Sequence, residues 1–385
     1  MSMAWFEFEK LISSGNLKGK ISKEDLPTPA LILDLDTFEA NLAKMACHLM
    51  AAGKAFRPHA KTHKTIEIAQ ACMDAGAIGT CTAKISEAEV FSRAGLKGLL
   101  VTTPLVGAWR IERAVLLAKS QPDTIFCADN ASNVELLNQA ASVAGIKLNI
   151  AIDLLVGGRT GSTPGEESVK LAQQIHTASN LHFFGIQAFA GPCAHTLGFS
   201  ERKRASEQSM GQAVETRWQI ERAGIPCPWL SGGSTGTYNI DSAIDGITEI
   251  QPGSFLFMDI DYSIIGGQAD AQQFTDFGFA LSVIATVFSK PSAKWAIVDA
   301  GFKAFSTDRP FPPQLRSGKV PFRWAGDEHG NLDLTQATQS IELGDRLEFL
   351  VPHCDPTVNL YDRIYGIRGS MVESVWNIAA RGMSQ

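Results

Sequence analysis

Between about residues 30 and 260 the chain alternates short β-rich runs with amphipathic stretches of helical period. Strand-like runs are read at 30–35, 55–61, 78–83, 98–103, 124–128, 148–152, 181–189, 228–231 and 248–251. Helical patterns lie between most of them, at 37–52, 65–75, 86–94, 108–119, 132–144, 166–177 and 202–223. Ser86-x-x-Glu89 reads as a capping box at one helix start. Repeated βα units imply a parallel sheet, and about eight of them imply a closed α/β barrel, (β/α)8 or TIM-type. An open doubly wound sheet is the alternative, but no Gly-x-Gly-x-x-Gly follows an early strand.

After about residue 265 the texture changes. Runs at 277–288, 295–299, 341–350 and 371–378 read as strands, separated by Pro-, Gly- and Asp-rich loops rather than helices. The expected organisation is a barrel over 27–262 and a C-terminal all-β domain over 263–385. The amphipathic first 26 residues are free to pack on that domain. A length of 385 residues accommodates both.

Composition removes several function classes. The net charge is −6 and no long basic run occurs, which argues against nucleic-acid binding. No apolar run is long enough for a bilayer, and Met1–Glu7 lacks the charged start and apolar core of a secretory signal. Seven cysteines without a Cys-x-x-Cys pair suit reduced thiols, and so a cytoplasmic protein.

The segment Arg57-Pro58-His59-Ala60-Lys61-Thr62-His63-Lys64 concentrates basic groups where the second β-run ends. Barrel enzymes keep their chemistry at the C-terminal ends of strands. A buried lysine there is expected to have a lowered pKa, and a neutral amine can form a Schiff base. A basic surface turn is the plainer reading of the octapeptide alone. The second feature is Ser231-Gly232-Gly233-Ser234-Thr235-Gly236-Thr237, followed after the next strand by Gln251-Pro252-Gly253-Ser254. Glycines let backbone N–H groups converge on an anion, and late βα loops of barrels commonly hold phosphate. An early lysine and a late phosphate cradle together point to pyridoxal 5′-phosphate.

The third feature is Pro352-His353-Cys354-Asp355-Pro356-Thr357. Read as extended chain, His353 and Asp355 share a face and can meet one ion, Mn²⁺, Mg²⁺, Co²⁺ or Zn²⁺. A His-x-Asp is more often a hydrogen-bonded pair. Arg159 ends a central strand, where it is either a ligand of the cofactor ring or a solvated turn residue. His195, after the seventh run, is either a general base or an ordinary loop histidine.

Taken in order, these motifs resemble the D-threonine aldolase and eukaryotic-type D-serine dehydratase family of fold type III pyridoxal-phosphate enzymes. Further matches are Thr28-Pro29-Ala30-Leu31-Ile32-Leu33-Asp34, Gly185-Ile186-Gln187-Ala188-Phe189, Phe257-Met258-Asp259, Val298-Asp299-Ala300-Gly301 and Asp327-Glu328-His329-Gly330. The resemblance implies Lys61 as the Schiff-base lysine and His353 and Asp355 as metal ligands. It places Gly233, Thr235, Gly236, Gly253 and Ser254 by the phosphate, and Arg159, Gln187 and Tyr262 by the rest of the cofactor. His195 falls by the substrate. Asp355-Pro356-Thr357 resembles the aldolase branch, whereas dehydratases have a cysteine at the second ligand. Phe189 stands where a tyrosine is usual. The implied activity is cleavage of a D-3-hydroxy amino acid to glycine and an aldehyde, by a homodimer. Rivals are a dehydratase, a racemase using Tyr361 or Tyr365 as second base, and a non-catalytic cofactor-binding protein.

Overall fold

The computed structural model describes residues 5–14 and 19–385. Its strands are β1 (Ala30–Asp34), β2 (Ala55–Phe56), β3 (Thr80–Thr82), β4 (Leu99–Val101), β5 (Ile125–Ala128), β6 (Leu148–Asp153), β7 (Leu181–Ala188), β8 (Leu230–Gly232) and β9 (Glu249–Ile250). They continue as β10 (Leu281–Ser292), β11 (Trp295–Val298), β12 (Gln314–Leu315), β13 (Phe322–Trp324), β14 (Gly330–Asp333), β15 (Arg346–Leu350), β16 (Arg363–Arg368) and β17 (Met371–Asn377).

Strands β2 to β9 form one parallel sheet in the order β2-β9-β8-β7-β6-β5-β4-β3. Just past β2 the sheet closes on itself. Ile78 N–H donates to Phe56 O and Cys81 N–H to Pro58 O, both at 2.9 Å, and His59 bridges Cys81 in parallel. Alternation along each strand sorts the side chains into two layers. Cys81, Leu100, Ile125, Cys127 and Ala151 pack together in the barrel interior, with Trp229 from just before β8. Their neighbours Leu99, Val101, Phe126, Ala128, Ile150 and Ile152 pack outward in the main core with helix residues such as Ala114, Leu137 and Leu171. This mix of small and large buried residues suits a barrel filled by side chains rather than an open pore.

The run at 30–35, read from sequence with the barrel strands, belongs elsewhere. Strand β1 lies antiparallel to β10 and parallel to β16, in the second sheet. That sheet runs β13-β14-β11-β10-β1-β16-β17, with β15 on β10 and β12 on β15. The physical reason is that β1 is buried on both faces, so its apolar run carries no alternation to say which sheet it joins. Phe8 of the helix Trp5–Ser14 packs on this sheet with Ile32, Tyr365 and Ile367.

The capping box also differs. The helix Ile85–Arg93 is capped by Glu87, which accepts from Ala83 N–H at 2.7 Å and Lys84 N–H at 3.1 Å. Ser86 Oγ instead donates to Gln385 O, and Glu89 accepts from Arg113 through both oxygens at 2.7 Å. Among the described residues no helix is long and apolar enough to cross a membrane, and every described cysteine is unpaired.

Candidate active site

Five barrel loops and two loops of the second sheet carry the residues considered for the site, past the C-terminal ends of the barrel strands. The chain leaves β2 into a short 3₁₀ turn, Ala60–Thr62, which carries Lys61. His59 caps that turn, its Nδ1 accepting from Lys61 N–H at 3.3 Å. Thr102 Oγ1 donates to Thr82 O, so at 3.3 Å from His59 Nε2 it acts as the acceptor. Burial, then the Lys61 charge, push the His59 pKa down to about 3, so the ring is neutral and serves as a fixed spacer. The basic run ends before the next helix, which lies within the helical pattern at 65–75. Lys64 sits at φ 52°, a left-handed conformation rare for a side-chain-bearing residue, and the helix starts at Ile66. Lys64 Nζ pairs with Glu87 at 3.3 Å.

Lys61 Nζ contacts Asp355 Oδ2 directly. The expected lowering of the lysine pKa is overturned by this contact. Burial works to lower it, but the Asp355 carboxylate outweighs burial and holds the ammonium above its ordinary value. Burial likewise works to raise Asp355, and the Lys61 charge holds it well below the usual carboxylate range.

The segment around Asp355 is not extended. His353 is the cap residue of a short helix, Cys354–Val358. The i, i+2 argument for a shared face therefore fails, because helical backbone turns Asp355 toward the barrel. His353 Nδ1 engages Asp308 Oδ2 at 2.7 Å instead. The loop is pinned to the barrel by buried Asp259, whose two oxygens accept from Tyr262 N–H and Cys354 N–H at 2.9 Å each. No group of three His, Cys, Asp or Glu suited to a metal occurs among the described residues.

The loops after β8 and β9 touch each other: Phe255 N–H donates to Thr235 Oγ1 at 2.9 Å. A Cβ on Gly253 would lie 2.6 Å from Thr62 Oγ1 and 3.1 Å from His59 O, so this loop packs against the Lys61 turn. Gly236 is equally constrained, with Ala194 O only 2.1 Å from where its Cβ would be, and Gly233 has φ 76°. The backbone N–H groups of Thr235, Gly236, Gly253 and Ser254 have no acceptor among the described residues. Thr235 and Ser254 are buried. Unbonded donors at this depth fit an anion such as a phosphate, which would satisfy them.

Two residues that sequence reasoning missed hold this cradle. Arg202, fully buried in the helix Phe199–Arg222, donates to the carbonyls of Gly236, Thr196, Ile265 and Gly266 at 2.5–3.0 Å. Asp241 accepts from Thr237 Oγ1 at 2.5 Å and Ser206 Oγ at 2.6 Å, and burial raises its pKa to about 6. Arg202 lies in a charge-rich helical stretch with no outward sign that one arginine points inward.

Gln187, next to last in β7, is buried; its Oε1 accepts from Gln251 Nε2 at 2.6 Å. Gln251 Oε1 is buried without a partner. Arg159 is exposed, 5.6 Å from the Phe189 ring centre. His195 Nδ1 lies 2.9 Å from Asp261 Oδ2, and its ring packs on Tyr262 at 4.6 Å between centres. Tyr361 donates to Ala304 O, Tyr365 packs on Phe8, and His329 stacks on Phe288, so each is occupied by a structural contact.

Residues 33–261 match the family model of the alanine racemase N-terminal domain, and residues 280–367 that of a serine dehydratase domain. The chain belongs to the alanine racemase N-terminal domain family. Among family relatives, a 3-hydroxy-D-aspartate aldolase of Paracoccus denitrificans is 35% identical over 369 residues, 94% of each chain. A D-threo-3-hydroxyaspartate dehydratase of Delftia sp. is 30% identical over 289 residues, 74% of each. The crystal structure of a D-threonine aldolase from Filomicrobium marinum superposes with a TM-score of 0.89 at 33% identity, covering 95% of this chain and 98% of that one.

Proposed function

We propose that this protein is a pyridoxal-phosphate- and divalent-metal-dependent aldolase that cleaves a D-3-hydroxy amino acid to glycine and an aldehyde. The observation that carries the reading is the meeting of Lys61 with Asp355 beside two loops of unbonded backbone donors. The likeness to aldolases over nearly the whole chain supports it.

Bound pyridoxal phosphate supplies an electron sink for the pair released as Cα–Cβ breaks. Lys61 provides the amine that anchors it. Thr235, Gly236, Gly253 and Ser254 offer N–H groups to its phosphate. Gln187, held by Gln251, and Arg159 flank the ring position, and Tyr262 fixes one wall by packing on His195.

The metal fit rests on donor chemistry. Asp308 takes the Nδ1 side of His353, which leaves Nε2 as the donor, the usual carboxylate–histidine support of a metal ligand. His353 and Asp355 would hold the ion. A divalent ion there supplies a Lewis acid that acidifies the β-hydroxyl. His195, whose Nδ1 lies 2.9 Å from Asp261 Oδ2, would take the hydroxyl proton on Nε2. Without cofactor and ion, Asp355 and Lys61 hold each other's charge.

The unpaired cysteines support a cytoplasmic location, and family resemblance supports a homodimer. The deciding experiment incubates the holoenzyme with D-threonine and with 3-hydroxy-D-aspartate. Glycine with an aldehyde is the expected product pair. Ammonia with a keto acid would make the protein a dehydratase, and neither would remove both lyase readings.

A further inference from the structure

The loop after β11 brings to the site a guanidinium that no motif announces. Arg309 Nε lies 3.0 Å from Asp261 Oδ2. That same oxygen lies 2.9 Å from His195 Nδ1. The preceding residue, Asp308, holds His353 Nδ1 at 2.7 Å. Arg309 therefore stands between the two imidazoles, its Nε in an ion pair with Asp261 but without a hydrogen-bond partner. Its guanidinium makes no hydrogen bond with any described residue, and the side chain is 31% exposed. The other cations nearby are committed: Lys61 to Asp355, Lys64 to Glu87, and Arg159 over the Phe189 ring.

A guanidinium with unsatisfied N–H groups offers a planar fork matched to a carboxylate. In a 3-hydroxy amino acid the β-hydroxyl and the side-chain substituent leave the same carbon. On the aldolase reading the hydroxyl faces His195 and the His353–Asp355 pair, so the substituent leaves Cβ within this same cluster. We propose that Arg309 binds a carboxylate carried on Cβ, which makes the preferred substrate a D-3-hydroxy amino acid with an acidic side chain rather than a neutral one such as D-threonine. The proposal rests on the aldolase reading for which atom faces which residue.

The neighbouring acids limit its size. Asp261 and Asp308 both flank Arg309, the latter at 3.8 Å from Nε. One positive and two negative groups leave the cluster formally at −1 while the imidazoles are neutral. Each carboxylate is also shared with a histidine. Discrimination is thus expected in tens of fold, below the loss seen when a fully buried charge pair is broken.

The test measures kcat/KM for 3-hydroxy-D-aspartate and D-threonine with wild-type holoenzyme, Arg309→Gln and Arg309→Lys. Wild type should favour the acidic substrate. Arg309→Gln should lower that preference by about 30-fold, mostly through KM, while D-threonine changes by less than about 3-fold. Arg309→Lys should keep part of the preference. A wild-type preference for D-threonine, or an equal fall for both substrates, would overturn the proposal. Inhibition gives a readout that needs no folded variant. D-aspartate should bind wild type more tightly than D-2-aminobutyrate, which lacks the carboxylate, and equal binding also overturns it. Should the products be ammonia and keto acid, the aldolase reading fails while the inhibitor pair still judges Arg309.

Discussion

Lys61 Nζ and Asp355 Oδ2 touch across 294 positions of chain, one on a barrel loop and the other on a loop of the second sheet. The contact is what keeps Lys61 protonated against burial. Asp355→Asn removes the opposing charge, so the lysine pKa should fall. In cofactor-free protein, labelling of Lys61 by an amine-reactive probe, followed by mass spectrometry, should then begin at lower pH than in wild type. Identical labelling profiles would show that the pair does not control the amine. Lys61→Ala should abolish turnover and the visible absorbance of bound cofactor.

Gly253 is set by sterics alone, since its φ of −127° is open to any residue. Gly253→Ala places a methyl 2.6 Å from Thr62 Oγ1 and pushes on the Lys61 turn. Overpacking of this kind costs about 1–3 kcal/mol. Activity should fall with the fold retained by circular dichroism. Thr62→Ala removes the nearest obstacle, so the double variant should recover part of the loss. Additive losses would mean the glycine matters for another reason.

The barrel was legible because its strands are separated by helices with distinct period, so each βα unit announces itself. The loop ends carrying Lys61, Thr235 and Gly253 were legible for the same reason. Strand β1 was not, because a strand buried on both faces says nothing about which sheet it joins. The Ser86-x-x-Glu89 pattern misled because Glu87, one turn position away, had the geometry to reach Ala83 and Lys84. Asp261, Asp308 and Arg309 were invisible as a group. They come from a barrel loop and a β-domain loop, and only the packing of the two sheets makes them neighbours.

Glu249 is a wholly buried carboxylate inside the barrel, accepting from Arg57 Nε at 3.0 Å, Trp229 Nε1 at 3.1 Å and Ser231 Oγ at 2.6 Å. Glu249→Ala strands the Arg57 guanidinium, which is itself buried. The expected loss is about 3–5 kcal/mol, read from urea denaturation. A loss below about 1 kcal/mol would mean that water or rearrangement satisfies Arg57.

Asp308 orients His353 without being one of the proposed ligands. Asp308→Ala frees the ring to turn and lowers the basicity of Nε2. Metal affinity should weaken by about 10–100-fold in calorimetric titration of stripped protein. Asp308→Asn, which keeps a hydrogen-bonding oxygen, should weaken it less. Unchanged affinity in both variants would remove His353 from the metal site.

Asp241 makes the loop after β8 sensitive to pH in a defined direction. Burial raises its pKa from 3.8 to about 6. A carboxyl whose folded-state pKa lies above its unfolded value holds more protons when folded, so stability falls as pH rises between those two values. With each pKa unit worth about 1.4 kcal/mol, the fall attributable to Asp241 is on the order of 3 kcal/mol. Asp241→Asn cannot ionise and loses this dependence. Its free energy of unfolding relative to wild type should therefore rise from pH 4 to pH 7 and then level off. Urea melts at one-unit steps would reveal it as curves that converge or cross. Parallel curves across that window would place the ionisation of Asp241 at its ordinary value and leave Ser206 and Thr237 bonded to a carboxylate throughout it.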